Sequence, residues 1–344
     1  MSGPADEPWE PGHGADDGYA LFVKERRVVA DDGTPIAYSY RNRDGHRVPV
    51  IFANGWSCSD VYWGGIAPRL EELGHPVLIP DTRGHGRSGL PRPPGRGARN
   101  LTADDVSMAR VARDLVAVLD DADVERAMVV GHSMGTQVAL EVYRQIPDRV
   151  AALVLVAGTY ENPAKTFYGT GIGDATFPLL ALTMRWAPEL AKPLWATIGP
   201  KKLGHLGARL LGAAGPKATA DDLHPYLLHL RSVDLPTMVL MAGAMRAHSA
   251  ADLLGEIACP TLVVAAGADV FTPARCSEAM HHLIAGSELV TFPGTGHTLP
   301  IEEPEAVADA IDDFATRRLP APRPAKATPK ARATGRARGA RARS

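Results

Sequence analysis

Apolar residues in this chain recur with two different periods, and the alternation between them outlines an architecture. Short apolar runs such as Pro49-Val-Ile-Phe-Ala53, Val77-Leu-Ile-Pro80, Ala127-Met-Val-Val-Gly131 and Pro260-Thr-Leu-Val-Val-Ala-Ala266 end at Gly, Asp or Asn. They read as strands covered on both faces. The pattern predicts strands near 25–30, 35–41, 48–54, 76–80, 126–132, 150–157, 260–267 and 287–292. Apolar positions three and four apart predict helices near 62–73, 106–121, 134–146, 274–284 and 304–316. Strands that alternate with helices after a first hairpin imply an α/β fold. The expected sheet has eight strands, mostly parallel and doubly wound, with right-handed crossovers.

One region departs from that rhythm. About a hundred residues between the runs at Val150–Ala157 and Thr261 carry no good strand signal. Instead, helical spacing appears in four stripes: Phe177 to Trp186, Leu203 to Leu211, Leu223 to Leu230, and Leu235 to Met245. A helical cap over residues 160–248 is expected, folded across the sheet's crevice and offering it a largely apolar wall. The core is then split into 19–159 and 249–317, with a disordered leader at 1–18 and a disordered basic tail at 318–344.

Composition narrows the class. A chain of 344 residues with 45% hydrophobic content has room for one such domain plus an insertion. Cys58, Cys259 and Cys276 form no CxxC pair and no even framework, so an oxidising compartment is not implied. No basic, apolar signal segment is visible at the start. The apolar stretch Phe177–Ile198 is interrupted by Arg185, Pro188, Glu189, Lys192 and Pro193, which excludes a continuous membrane span. A soluble, cytoplasmic protein is expected. The run Arg317–Ser344 holds ten Lys/Arg and no acid, and without it the formal charge moves from −2 to −12. A tail of that composition suits contact with nucleic acid or an anionic surface, although a solvated appendage is the simpler reading. No dinucleotide fingerprint, P-loop lysine or metal-ligand spacing occurs, so neither cofactor nor metal is expected.

The chemistry concentrates at Gly131-His132-Ser133-Met134-Gly135, where a strand run gives way at once to a helical pattern. Glycines on either side let backbones approach closely, and the sharp turn pushes the Ser133 hydroxyl beyond the sheet edge. The Met134 N–H at the helix start faces the place where an oxyanion would form. A serine hydroxyl needs a base and an orienting carboxylate to react. Asp269 follows the strand run ending at Gly267, and His297 follows Pro293-Gly-Thr-Gly296 after the strand near Glu288–Phe292. All three residues thus sit just past the carboxyl ends of expected strands, which line one crevice in an open α/β sheet. His132 is read as packing beneath the turn, and His85 as part of a turn stapled by Asp81 and Arg83. Asp234 and Asp252 end no strand.

Five separated motifs together resemble the α/β-hydrolase superfamily along residues 25–317. They are Asn54-Gly55-Trp56, Asp81-Thr-Arg83-Gly84-His85-Gly86-Arg87-Ser88, the Ser133 turn, Asp269 with Thr272-Pro273, and Gly296-His297. The resemblance implies a serine-nucleophile, esterase-like enzyme with catalytic Ser133, Asp269 and His297. It also implies an oxyanion hole from the backbone N–H groups of Trp56 and Met134. Asn54 stands where the family usually carries histidine; since the donor is a backbone N–H, the exchange is compatible with catalysis. The expected reaction is cleavage of an ester, lactone or thioester of a small apolar substrate through an acyl-enzyme. Perhydrolase-like chemistry and carbon–carbon hydrolysis use the same triad. A low-turnover binding protein on a hydrolase fold is the reading from another class.

Overall fold

β-branched runs pair into one sheet because their apolar side chains, alternating above and below, can be covered by helices on both faces. The computed structural model describes residues 20–95, 100–167, 170, 174–175, 201–210 and 212–319. Its strands are β1 (Arg26–Val29), β2 (Pro35–Arg41), β3 (Val50–Ala53), β4 (Val77–Pro80), β5 (Ala127–His132), β6 (Val150–Val156), β7 (Thr261–Ala266) and β8 (Glu288–Phe292). They lie in the order β1-β2-β4-β3-β5-β6-β7-β8. β1–β2 and β2–β4 are antiparallel, and every later pairing is parallel. Every residue of β3 to β7 is buried, as coverage on both faces requires.

Along β5 the faces alternate. Val129 belongs to the cluster formed with Leu115, Val138 and Leu140, from helices α2 (Met108–Asp121) and α3 (Met134–Gln145). Its neighbours Met128 and Val130 pack with Ile66, Leu70, Ile311 and Phe314, on the opposite face. Those last four come from α1 (Ile66–Glu72) and from the C-terminal helix Pro304–Arg318. That final helix runs through Arg317 and Arg318, which pair with Glu288 of the edge strand β8 at 2.8 and 3.0 Å. The first basic residues of the expected tail are therefore helical; the rest of the tail and the leader lie outside the described residues.

The turn after β4 follows the sequence expectation for Asp81 but not for Arg83. The Arg83 side chain takes no part in the staple. It points inward, fully buried, with Nε and Nη2 on Asp114 of α2 at 2.7 and 2.6 Å and Nη1 on Asp32 at 2.7 Å. A buried guanidinium demands paired acceptors, and the carboxylate across the bidentate fork supplies them. Asp81 accepts from the Arg87 N–H at 2.8 Å and lies 3.3 Å from the buried Lys24 Nζ.

Between β6 and β7 the chain leaves the sheet and builds α4 (Lys201–Leu210), α5 (Ala220–Ser232) and α6 (Leu235–Ala247). Thr219 and Asp222 form a capping box at α5, and the Asp234 carboxylate caps α6 through the Thr237 N–H at 3.0 Å. The stripes on α5 and α6 are buried: Leu223, Leu227 and Leu230, then Leu235, Met238, Met241 and Met245. On α4, Leu206 and Leu210 are 52% and 77% exposed. α4 approaches α5 closely at Gly204, where a Cβ would fall 2.7 Å from Leu227 Cδ1. A small-residue face allows closer helix approach than a leucine face. The stripe at Phe177–Trp186 lies outside the described residues. Among the described residues, no helix is long and apolar enough to cross a membrane.

After β7 the described residues form the helices α7 (Ala274–Leu283), the single turn α8 (Leu299–Glu302) and α9 (Pro304–Arg318). Topology brings the loops after β3, β5, β7 and β8 to one edge of the sheet, with the α4–α6 insertion rising from the end of β6.

Candidate active site

Ser133 sits between β5 and α3 with φ 56° and ψ −117°, a conformation that costs a non-glycine residue of order 1–3 kcal/mol. Surrounding contacts enforce it. The Ser133 N–H donates to the Val156 carbonyl at 3.0 Å, and its own carbonyl accepts from the Thr136 N–H at 3.0 Å. Close approach does the rest. A Cβ on Gly131 would lie 2.1 Å from the Gly135 carbonyl oxygen, and one on Gly135 would lie 2.0 Å from the Ala53 oxygen. No side chain fits at either position, so the glycines flanking the turn are required by the packing of β5 and α3 against β3.

The Ser133 hydroxyl lies 2.9 Å from His297 Nε2, and His297 Nδ1 lies 2.7 Å from Asp269 Oδ2. Asp269 is 5% exposed, at the end of the β7 loop. Its Oδ1 accepts from the N–H groups of Phe271 and Thr272 at 2.8 and 3.1 Å, and the Thr272 hydroxyl is 2.8 Å from Oδ2. Burial alone would raise this carboxyl. The charge and hydrogen bond of His297, joined by the two groups of Thr272, outweigh it and hold Asp269 below the usual carboxylate range. The acid stays ionised beside the imidazole.

The two backbone groups expected to hold an oxyanion belong to segments that meet at the Ser133 turn. Met134 opens α3, so its N–H has no acceptor within the helix. Gly55 leans on the turn: a Cβ there would be 3.3 Å from Ser133 Cβ and 3.1 Å from His132 Nδ1. Trp56 follows directly, its indole N–H donating to the Met238 carbonyl of α6 at 2.8 Å. Ser57, next in the loop, has φ 59° and lies 3.2 Å through its hydroxyl from the Tyr226 hydroxyl of α5. Asn54 acts as a strut. Its Oδ1 accepts from the Trp63 indole at 2.6 Å and its Nδ2 donates to the Pro80 carbonyl at 2.9 Å. An amide supplies both an acceptor and a donor in one plane, which suits this bridge better than a single imidazole tautomer.

His132 is fully buried and lies under Ser133, but it reaches across the site as well. Its Nε2 donates to the His297 carbonyl at 2.9 Å, and its ring stacks on Tyr62 at 4.9 Å between centroids. Burial, with the neighbouring His297 charge, pushes its pKa down to about 3, so it stays neutral. The other candidates set aside from the sequence are occupied elsewhere. His85 donates to the Arg83 carbonyl at 3.0 Å, Asp252 pairs with Arg144 at 2.8 Å, and Asp234 caps α6. Sequence reasoning missed three residues that support the site: Ser57, Tyr226 and Glu302, whose carboxylate accepts from the Gly296 N–H at 2.9 Å. Ser57 and Tyr226 meet across 169 residues, Glu302 reaches back six to Gly296, and none carries a local signature. Among the described residues, no group of His, Cys, Asp and Glu has the arrangement of a metal site.

A sheet of this order with this turn after its fifth strand defines an α/β hydrolase fold. The family model for that fold matches residues 48–304, and the chain belongs to the family. It is 30% identical over 268 residues to the Variovorax paradoxus protein named "Putative carbamate hydrolase RutD", covering 78% of this chain and 91% of that one. A hydrolase of known structure from Pseudomonas aeruginosa superposes with a TM-score of 0.63 at 25% identity, covering 84% of this chain and 97% of the other. An esterase from Exiguobacterium antarcticum shares the fold at 21% identity with a TM-score of 0.67, over 84% and 98% of the two chains.

Proposed function

We propose that this protein is a serine hydrolase that moves an acyl group from a small, largely apolar carboxylic ester to water. The reading rests on one observation: the Oγ–Nε2 and Nδ1–Oδ2 contacts of 2.9 and 2.7 Å that join Ser133, His297 and Asp269 in series. His297 Nε2 takes the hydroxyl proton as Ser133 Oγ attacks the carbonyl carbon. Asp269 fixes the tautomer with Nδ1 protonated and offsets the imidazolium charge. The N–H groups of Met134 and Trp56 hold the tetrahedral oxyanion. His297 then delivers the proton to the leaving alkoxide, which departs as the alcohol. A water, deprotonated by the same imidazole, attacks the acyl-enzyme, and the proton returns to Ser133 Oγ as the acid leaves.

The α4–α6 insertion serves in this reading as the cap. Val233, Leu235 and Met238 pack with Trp56 into an apolar patch beside the oxyanion loop, which favours a hydrocarbon acyl or alkyl group over a charged one. The carbamate activity in the Variovorax paradoxus relative's name supports a second substrate, since a carbamate carbonyl is open to the same attack. A panel of p-nitrophenyl esters of increasing chain length, a lactone, an acyl-thioester and an aryl carbamate separates these. Short to medium apolar esters should turn over fastest, and Ser133→Ala should abolish the turnover. An enzyme that cleaves only the carbamate replaces the ester reading. Turnover that survives Ser133→Ala overturns both.

A further inference from the structure

His297 occupies a short loop, and that loop is fastened from outside the sheet. The Gly296 N–H on one side of the histidine donates to Glu302 Oε1 at 2.9 Å. On the other side the Thr298 hydroxyl donates to the same oxygen at 2.9 Å. Glu302 ends the one-turn helix α8, so the carboxylate folds back over the residue it follows by five positions. One oxygen therefore grips both neighbours of the imidazole.

The other contacts of this carboxylate lead into the insertion. The Lys217 N–H donates to Glu302 Oε2 at 3.2 Å, and the Gly215 N–H donates to Thr298 Oγ1 at 2.8 Å. Residues 212–219 are the connection between α4 and α5, and the Lys217 ammonium adds an ion pair with Glu303. Packing here leaves no slack. A Cβ on Gly215 would fall 1.9 Å from Glu302 Oε1, and one on Gly296 would fall 2.5 Å from Gly215 Cα. The two backbones touch, and the carboxylate fills the space a side chain would need.

We propose that Glu302 is a positioning residue that locks the helical insertion to the histidine loop, so that seating the insertion and aiming the imidazole are one event. A carboxylate is suited to this because it accepts several N–H and O–H groups at once, and such charge-assisted bonds are shorter and stronger than neutral ones. The bonds to Gly296 and Thr298 set the rotation of the loop backbone about His297. The bonds from Lys217 and Gly215 tie that rotation to the insertion. When the insertion lifts, the histidine loop loses two of its anchors. The inference rests on His297 being the base.

The test compares Glu302→Ala, Glu302→Gln and Thr298→Val with the full-length protein, reading kcat, KM and the rate of Ser133 labelling by an organophosphonate. Misplacing a base by about an ångström costs up to roughly 100-fold in rate. Glu302→Ala should therefore lower kcat and the labelling rate together, by about 10- to 100-fold, with KM changed less than about twofold. Glu302→Gln keeps an acceptor for Gly296 and Thr298 but opposes an N–H to that of Lys217, and should recover most of the rate. Thr298→Val leaves Glu302 in place but breaks the Gly215 link and removes one of the two loop donors to the carboxylate, and should act in the same direction. The double variant Glu302→Ala/Thr298→Val should be no slower than the slower single one, because both cut one network. A drop in melting temperature with kcat and labelling unchanged in the folded protein would overturn the proposal, leaving Glu302 a stabilising residue only. Thr298→Val decides the matter if Glu302→Ala does not fold. Labelling that persists in Ser133→Ala would overturn the active-site reading itself. Loss of labelling there, with the Glu302 series indifferent, would overturn the clamp alone.

Discussion

Ser133 and His297 stand 2.9 Å apart, yet they are held there by different physics. Ser133 is fixed by a covalent turn between two buried elements. Its strained φ of 56° is imposed by glycine backbones packed against β3, with apolar clusters on both faces of the sheet behind them. His297 rides a loop with polar anchors instead: Glu302 on both sides of it, His132 on its carbonyl, and Asp269 on its ring. Close packing is stiff because it has no lower-energy alternative nearby. Hydrogen bonds from separate segments are stiff only while all of those segments stay in place. In the proposed reaction the base should therefore be the adjustable partner, and the nucleophile the fixed one.

The sharpest way to break this contrast is to cut the polar side without touching the packing. Asp269→Asn keeps the shape of the acid loop but lets the amide favour the wrong imidazole tautomer. A fall in kcat of about 10⁴-fold is expected, with thermal stability lowered only slightly. A comparable rate for the variant would mean that the carboxylate does not orient the ring. The complementary cut falls on the packed side. Gly135→Ala drives a Cβ to within 2.0 Å of the Ala53 oxygen, and overpacking of this kind costs about 1–3 kcal/mol. Urea unfolding should register that loss. If the variant is as stable as the parent, the turn is looser than the contrast requires.

His132 is where the two regimes meet, since it belongs to β5 but bonds the loop of His297. Its pKa of about 3 in the folded protein lies below the ordinary value of 6.5. Between those two values the unfolded chain holds a proton that the folded chain refuses. Stability from this group is thus complete above pH 6.5 and is lost as pH falls toward 3. The slope it adds is about 1.4 kcal/mol per pH unit. His132→Gln, which retains a side-chain donor and does not titrate, should flatten the stability profile by about that amount between pH 6.5 and 4. An unchanged profile would place the acid sensitivity elsewhere.

This contrast also explains what the sequence made legible. The eight strands and the turn at Ser133 follow from local signals: β-branched runs, paired glycines, and a helical period that starts at Met134. Asp269 and His297 could be picked out because each follows a strand and a glycine. What positions them could not. The bond from residue 132 to residue 297, and those from residues 215 and 217 to residues 298 and 302, join segments with no shared pattern. Arg83 shows the same limit, since its charge invited a local partner while burial sent it to α2. Leu206 and Leu210 of α4 misled for a related reason. Leucines at helical spacing give an apolar face, but the close fit of Gly204 on Leu227 decided which face packs.

Mapping the site of covalent modification tests the central claim most directly. After treatment with a fluorophosphonate, peptide mass spectrometry of the intact protein's digest should find one adduct, on the Ser133 hydroxyl. It should form at a rate that falls steeply in His297→Ala and vanish in Ser133→Ala. An adduct on any other residue, or one on Ser133 that forms equally fast without the imidazole, would contradict the account.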